Sequence, residues 1–308
     1  MHRRRSAVLG AAPAALLASW LSPLAARAQD LDPRLHTNVP IGINFLAAGY
    51  AYSEGNVLFD PSIALDNAEI EIDGPVVGYG RSLGLGPFSG KFDTAIGRVC
   101  LDGSADYQGE HATRNVCGVT DARARITVNF AGAPPLRRQE FAAYEQNWVF
   151  GASLQLGLPT GDYDSDRLVN IGANRVSSKL ELGVSKDLGR WLFEISAGDT
   201  YFEDNTEFFG GRVRSQDPIT SVQAHAVYAF SRGAWLALDG TRYHGGRTSS
   251  GNTVNPDFQS NSRFGITASV PINRSQSVKI NASTGVSTRT GTDFDTVGAV
   301  WQFVWGGR

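Results

Sequence analysis

Ala122-Arg123-Ala124-Arg125-Ile126-Thr127-Val128-Asn129-Phe130 decides the fold. Side chains alternate across an extended strand, so Ala122, Ala124, Ile126, Val128 and Phe130 share one face. Arg123, Arg125, Thr127 and Asn129 share the other. The same grammar returns in Trp148–Leu158, where Trp148, Phe150, Ala152, Leu154, Leu156 and Leu158 oppose Gly151, Ser153, Gln155 and Gly157. It returns again with Leu180, Leu182 and Val184 against Lys179, Glu181 and Ser185, and with Trp191, Phe193 and Ile195 against Glu194 and Ser196. Further on, Val222 and Ala224 oppose Gln223 and His225, and Leu236 and Leu238 oppose Ala237, Asp239 and Thr241. The last three stretches set Phe264 and Ile266 against Arg263, Val278 and Ile280 against Lys279, and Val297, Ala299 and Trp301 against Thr296 and Gln302. Three earlier strands are placed near Ile41–Tyr52, Val76–Leu85 and Lys91–Leu101, where the two faces separate poorly.

Twelve strands result, an even number of about ten residues each. Connection lengths add an independent signal. Short turns at Gly86–Gly90, Leu188–Arg190, Ser231–Gly233 and Ile272–Gln276 alternate with long polar loops at Pro159–Ser177, Glu203–Thr220 and His244–Ser260. A soluble sandwich has no reason to segregate loop lengths, whereas outer-membrane barrels pair short periplasmic turns with long outer loops. In lipid every backbone polar group needs an internal partner, so a β protein spans only as a closed barrel. The predicted fold is therefore all-β, a transmembrane antiparallel up-and-down β-barrel of about 12 strands. Trp148, Trp191, Trp235, Trp301 and Trp305 sit near strand ends, where an aromatic girdle is expected. Ala131–Gln146 is a longer connection on the short-turn side, and Glu140–Tyr144 within it reads as a short helix.

Residues 1–28 read as a signal peptide: Arg3, Arg4 and Arg5, an apolar run from Ala7 to Leu21, and Ala26-Arg27-Ala28 as the cleavage site. An N-terminal membrane anchor is the alternative, against which stand the shortness of the run and Pro13. Residues 29–308 then form the barrel. Removal of four arginines takes Lys and Arg from 28 to 24 against 30 acidic residues, a formal charge of −6. With no basic stripe, nucleic acid is not an expected partner. The expected partners are outer-membrane lipid and a small-molecule solute, with the number of copies left open.

Cys100 and Cys117 are the only cysteines, and an exported chain favours a disulfide between them, closing a large loop. His111 lies between them, but this spacing matches no zinc pattern, so neither a metal nor another cofactor is expected. Asp162, Asp164 and Asp166 alternate in an outer loop, a spacing compatible with Ca²⁺. The Gly and Glu of a calcium loop are absent, which favours a solvated acidic turn. The inward face carries Arg123, Arg125, Lys179, Glu181, Glu194, His225, Asp239, Arg263 and Lys279. These either line a solute path or form an ion-pair filling that stiffens the wall. His225 is the one histidine in a confident strand, and it turns inward. A barrel hydrolase carries its Ser–His pair on the lipid side, so no catalytic residue is assigned and no enzyme is expected.

Leu158-Pro159-Thr160-Gly161-Asp162-Tyr163-Asp164 and Asn170-Ile171-Gly172-Ala173-Asn174-Arg175 also carry a family resemblance. With Asp204-Asn205-Thr206-Glu207-Phe208-Phe209-Gly210-Gly211 and Gln216-Asp217-Pro218, they resemble the outer-membrane transporters named for the meta pathway of phenol degradation. Gly49–Gly55 and Trp235–Asp239 fit as well, so the resemblance runs from Asn44 to Trp305. It implies aromatic or hydrophobic compounds as solutes; the barrel with its polar lumen adds the expectation of passive diffusion of small solutes, with Asp30–Pro40 or Ala131–Gln146 as a gate. The competing expectation is a plugged structural barrel whose outer loops bind a surface partner. One departure from outer-membrane barrels is the ending Gly306-Gly307-Arg308 after Trp305, since such chains usually end on an aromatic residue.

Overall fold

The computed structural model describes residues 31–57, 65–107, 110–230, 233–287 and 292–307, so the leader expected over residues 1–28 lies outside the described residues. In chain order the strands are β1 (Ile43–Val57), β2 (Leu65–Leu85), β3 (Phe88–Tyr107), β4 (Glu110–Val119), β5 (Ala122–Ala131), β6 (Trp148–Leu158), β7 (Ser177–Leu188) and β8 (Trp191–Phe202). They continue as β9 (Asn205–Phe208), β10 (Arg212–Gln216), β11 (Ile219–Ala229), β12 (Trp235–Gly245), β13 (Thr248–Ser250), β14 (Thr253–Val254), β15 (Gln259–Pro271), β16 (Gln276–Ser287) and β17 (Thr292–Gly306). A helical turn, α1 (Arg138–Phe141), interrupts the connection between β5 and β6.

Each wall strand pairs antiparallel with its neighbours, and β1 joins β17, with Ile43 opposite Gly306, to close the cylinder. On β3, the upper stretch Arg98–Tyr107 pairs with β4 and the lower stretch Ser89–Ala95 with β5. β4 and β5 thus act as one strand broken at Thr120-Asp121, and the wall has the twelve expected members. The alternation holds through the wall: Leu180, Leu182, Ile195 and Ile280 point outward, while Glu181, Glu194 and Lys279 are buried inside. Closure leaves no backbone edge in lipid, which is what allows a β structure to span. The termini of the wall and the short turns, including Gly86-Pro87 and Gly189-Arg190, lie at one end, and the long connections lie at the other. By the loop-length asymmetry of outer-membrane barrels the short-turn end is periplasmic.

Four expectations need correction. Trp235 is not part of the aromatic girdle. Its side chain is buried beside Leu192, Val227 and Ala237, because it shares the inward parity of Ala237 and Asp239. Trp148, Trp191, Trp301 and Trp305 do face outward. The stretch around Cys100 and Cys117 is not a loop, for β2 and β3 run to 21 and 20 residues and β4 pairs along β3. The two cysteines stand directly opposite each other in that ribbon and are joined by a disulfide. The polar connections Glu203–Thr220 and His244–Ser260 are not irregular either. They carry β9, β10, β13 and β14, which join into a separate four-stranded sheet, with Arg214 opposite Ser250. Finally, α1 begins two residues before the helix expected at Glu140.

Candidate functional site

The lumen is filled at its periplasmic half by the chain's own N-terminal segment. Residues Asp32 and Arg34 to Val39 are buried inside the wall, although neither sequence pattern nor charge distinguishes them from a loop. The segment is anchored at its exit, where the Ile41 N–H donates to the Leu136 carbonyl at 2.9 Å and Ser82 Oγ donates to the Pro40 carbonyl at 2.6 Å. Asn38 ties it to the Ala131–Gln146 connection, taking Gln146 Oε1 on its N–H at 2.9 Å and giving Nδ2 to the Pro134 carbonyl at 3.1 Å. Both segments named as gates by the sequence are therefore one packed unit.

Further in, lumenal side chains of the wall grip the segment. Glu194 accepts the N–H groups of Leu35 at 3.0 Å and His36 at 3.2 Å, while Lys91 Nζ donates to the Leu35 carbonyl at 2.7 Å. Ser185 Oγ donates to the His36 carbonyl at 3.2 Å. The Arg34 guanidinium lies 5.5 Å above the Trp235 ring, a cation–π contact made possible by the inward turn of that tryptophan. Gly183 and Gly151 make room for the His36 imidazole, since a Cβ on either would come within 2.1 Å and 2.4 Å of the ring. At the inner end of the segment Asp32 accepts from Arg125 Nη1 at 2.6 Å, and Arg125 Nε donates to Asp93 at 3.0 Å. Arg123 stands 3.9 Å from the same Asp93.

Of the nine residues singled out in the sequence, Arg123, Arg125, Glu181, Glu194, His225, Asp239, Arg263 and Lys279 are buried and Lys179 partly so, but they do not form one cluster. Arg125 and Glu194 hold the N-terminal segment. Glu181 accepts from Lys179 at 2.6 Å and from Gln223 at 3.1 Å. His225 pairs with Asp239 at 2.7 Å, and Asp239 also accepts from Thr267 at 2.8 Å. Arg263 donates to Ser283 Oγ at 2.7 Å, and Lys279 is buried further along β16, opposite Ser269. Sequence reasoning missed Lys91 and Asp93, which are as buried as their partners. Their alternation with Phe92 and Thr94 was the available signal, blurred by the glycines around it.

Above the segment, on the long-loop side, lies a cavity of about 480 Å³. Its walls come from β2, β3, β5 and β6 through Ile72, Val99, Leu101, Arg123 and Gln155. Its roof comes from two connections distant in sequence, through Tyr163, Asn170, Ile171 and Arg175 from one, and Asn205, Phe208 and Arg214 from the other. These are the stretches that carry the family resemblance, and the structure stitches them together. Asn205 Nδ2 donates to Tyr163 Oη at 2.9 Å and to the Ala173 carbonyl at 3.2 Å, and Tyr163 Oη donates to the Glu207 carbonyl at 3.2 Å. Asp121, at the break between β4 and β5, accepts the N–H groups of Gly161 at 2.8 Å and Ala173 at 3.1 Å.

The loop carboxylates do not converge. Asp162 accepts the Val119 N–H at 2.9 Å and Asp164 the Asp166 N–H at 3.0 Å, so each fastens backbone. Among the described residues no group of three His, Cys, Asp or Glu side chains is placed to hold a metal.

Comparison with known proteins agrees with this architecture. The structure superposes on that of an outer membrane channel from Pseudomonas putida F1 with a TM-score of 0.74 and 17% identity, covering 90% of this chain and 100% of that one. More distant are the transport unit of an autotransporter from Escherichia coli (TM-score 0.49, 10% identity, 92% and 93% covered) and a toluene transporter from Pseudomonas putida (TM-score 0.48, 11% identity, 88% and 92% covered). A search of curated proteins by sequence returns no match. The fold is that of an outer-membrane β-barrel, which places the chain in the bacterial outer membrane. Residues 67–303 match the family model described as "Putative MetA-pathway of phenol degradation", and the chain belongs to that family.

Proposed function

We propose that small solutes, aromatic or hydrophobic compounds among them, diffuse through this lumen when the N-terminal segment leaves it. The observation that carries the reading is the kind of attachment. The segment is held by side chains of the wall, the buried ion pair Asp32–Arg125 among them, rather than by strand pairing. It can therefore be withdrawn without breaking the barrel. A cavity above it, roofed by the outer loops, gives a solute a place to wait on the outer side. The family description ties its members to phenol degradation, which supports aromatic compounds as the solute class.

The filled lumen and the disulfide-stapled ribbon also favour a second reading, a permanently plugged barrel whose outer face binds a surface partner. Single-channel recording of the refolded mature protein separates the two. Asp32→Ala removes the inner tether and should raise the open probability at least tenfold over the unaltered barrel. A fully inserted, heat-modifiable Asp32→Ala barrel that carries no current would sink the gate and favour the plugged reading.

A further inference from the structure

We propose that the lumen, once its N-terminal segment has withdrawn, passes anions in preference to cations, and that Lys279 on β16 sets this preference. The inference deepens the channel reading and rests on it, since a lumen that never opens selects nothing. Lys279 is buried on the inward face, and its Nζ has no hydrogen-bond partner among the described residues. Other cations of the wall are engaged: Lys179 by Glu181, Arg125 by Asp32 and Asp93, and Lys91 by the Leu35 carbonyl. The carboxylates whose charge acts on Lys279 are Asp32 and Asp239, opposed by the cations Arg123 and Arg125. Both carboxylates are already spent. Asp32 accepts from Arg125 Nη1 at 2.6 Å, while Asp239 pairs with His225 through one oxygen at 2.7 Å and accepts from Thr267 on the other at 2.8 Å.

The wall beside Lys279 offers no further negative charge. In register with it stand Ser269 on β15 and Val300 on β17. From Val300 the row continues through Gly49 on β1, Val76 on β2 and Gly97 on β3, all of them uncharged. The N-terminal segment covers this side of the lumen. Leu31 packs on Gly265 of β15, where a Cβ would come within 2.4 Å of its Cδ1, and Gly265 pairs with Ser283, farther from the short turn than Lys279. When the segment leaves, Asp32 leaves with it and water enters. Lys279 is then an ammonium group on the lumen surface, beside a single carboxylate that His225 shares. One unit charge about 6 Å from an ion's path changes the local concentration of a monovalent ion about threefold in water. Low-dielectric walls focus that field, which is how lysine and arginine side chains select anions in pores.

The test is the reversal potential in planar bilayers under a potassium chloride gradient, read on openings of the unaltered barrel and of Asp32→Ala, with heat modifiability confirming that each barrel is folded. Chloride should permeate about threefold better than potassium near ~0.1 M salt, and the preference should fade near ~1 M, where the Debye length is about 3 Å. In the Asp32→Ala barrel, Lys279→Gln should bring the permeability ratio close to one, Lys279→Glu should invert it, and Lys279→Arg should keep it. Lys279→Gln should also resist heat as the unaltered barrel does, because an unpaired buried charge contributes no stability. Equal permeation of the two ions, a preference for potassium, or a chloride preference untouched by Lys279→Gln would each overturn the proposal while leaving the gate standing. A fully inserted barrel that stays silent in every variant would overturn the gate, and the selectivity with it.

Discussion

The two halves of the lumen share one wall and one alternation but are filled in different ways. In the periplasmic half, Asp32, Arg125, Asp93, Lys91 and Glu194 are matched to each other or to backbone groups within 3.2 Å. In the outer half the cavity is roofed by two connections, which Asp121 and Asn205 fasten through hydrogen bonds to Gly161, Ala173 and Tyr163. Charge placed against charge holds a segment in place. Hydrogen bonds between distant connections instead roof a space and leave it open. The difference follows from which chain segment fills the space, since the wall contributes inward-facing polar residues at both levels.

The comparison breaks most sharply at Arg125. Arg125→Ala leaves Asp32 and Asp93 buried without their shared guanidinium, a loss of about 3–5 kcal/mol for a buried pair. Limited proteolysis should then cut the N-terminal segment in a barrel that still shows heat modifiability, and hydrogen exchange of the outer connections should change far less. If the segment stays protected, the tether assignment is wrong.

A second change bears on the outer half alone. The Cys100–Cys117 disulfide lies beside Val99 and Leu101, which line the cavity, and it closes a separation of 17 residues. Replacing both cysteines by Ala should destabilise the ribbon by about 3 kcal/mol, the size expected for a loop of this length. Hydrogen exchange should rise in β3 above Val99 and in β4, while the segment Leu31–Pro40 keeps its protection. Equal loosening in both halves would mean that they are not independent.

The smallest effect belongs to Gly183→Ala. The new methyl would stand 2.1 Å from the His36 ring, and overpacking of this kind costs about 1–3 kcal/mol. Because the crowded group belongs to the segment and not to the wall, the open probability should rise with little change in the melting of the barrel. A drop in melting temperature without a change in current would place His36 in the structural core instead of in a gate.

Much of the wall was legible in the sequence. From Arg123 onward each stretch that alternates became a strand with the expected face inward, because lipid on one side and a polar lumen on the other impose a period of two on every residue. Even the error at Trp235 was one of weighting, since its odd-numbered parity with Asp239 already pointed inward and only its nearness to a strand end suggested the girdle. The site was less legible. Lys91 and Asp93 sit among glycines that hide the alternation, and the outer connections showed polar composition without showing that β9, β10, β13 and β14 would pair.

By itself the sequence determined the strand count, the two faces of the wall, its orientation and the pairing of the two cysteines, all properties set by neighbours one or two residues away or by elimination. What occupies the lumen depends on contacts made across the closed barrel. Leu35 meets Glu194 across 159 positions, and Tyr163 meets Asn205 across 42. Such contacts depend on closure of the cylinder, which brings distant strands around a common axis and leaves a short N-terminal segment with nowhere better to satisfy its backbone than the polar interior.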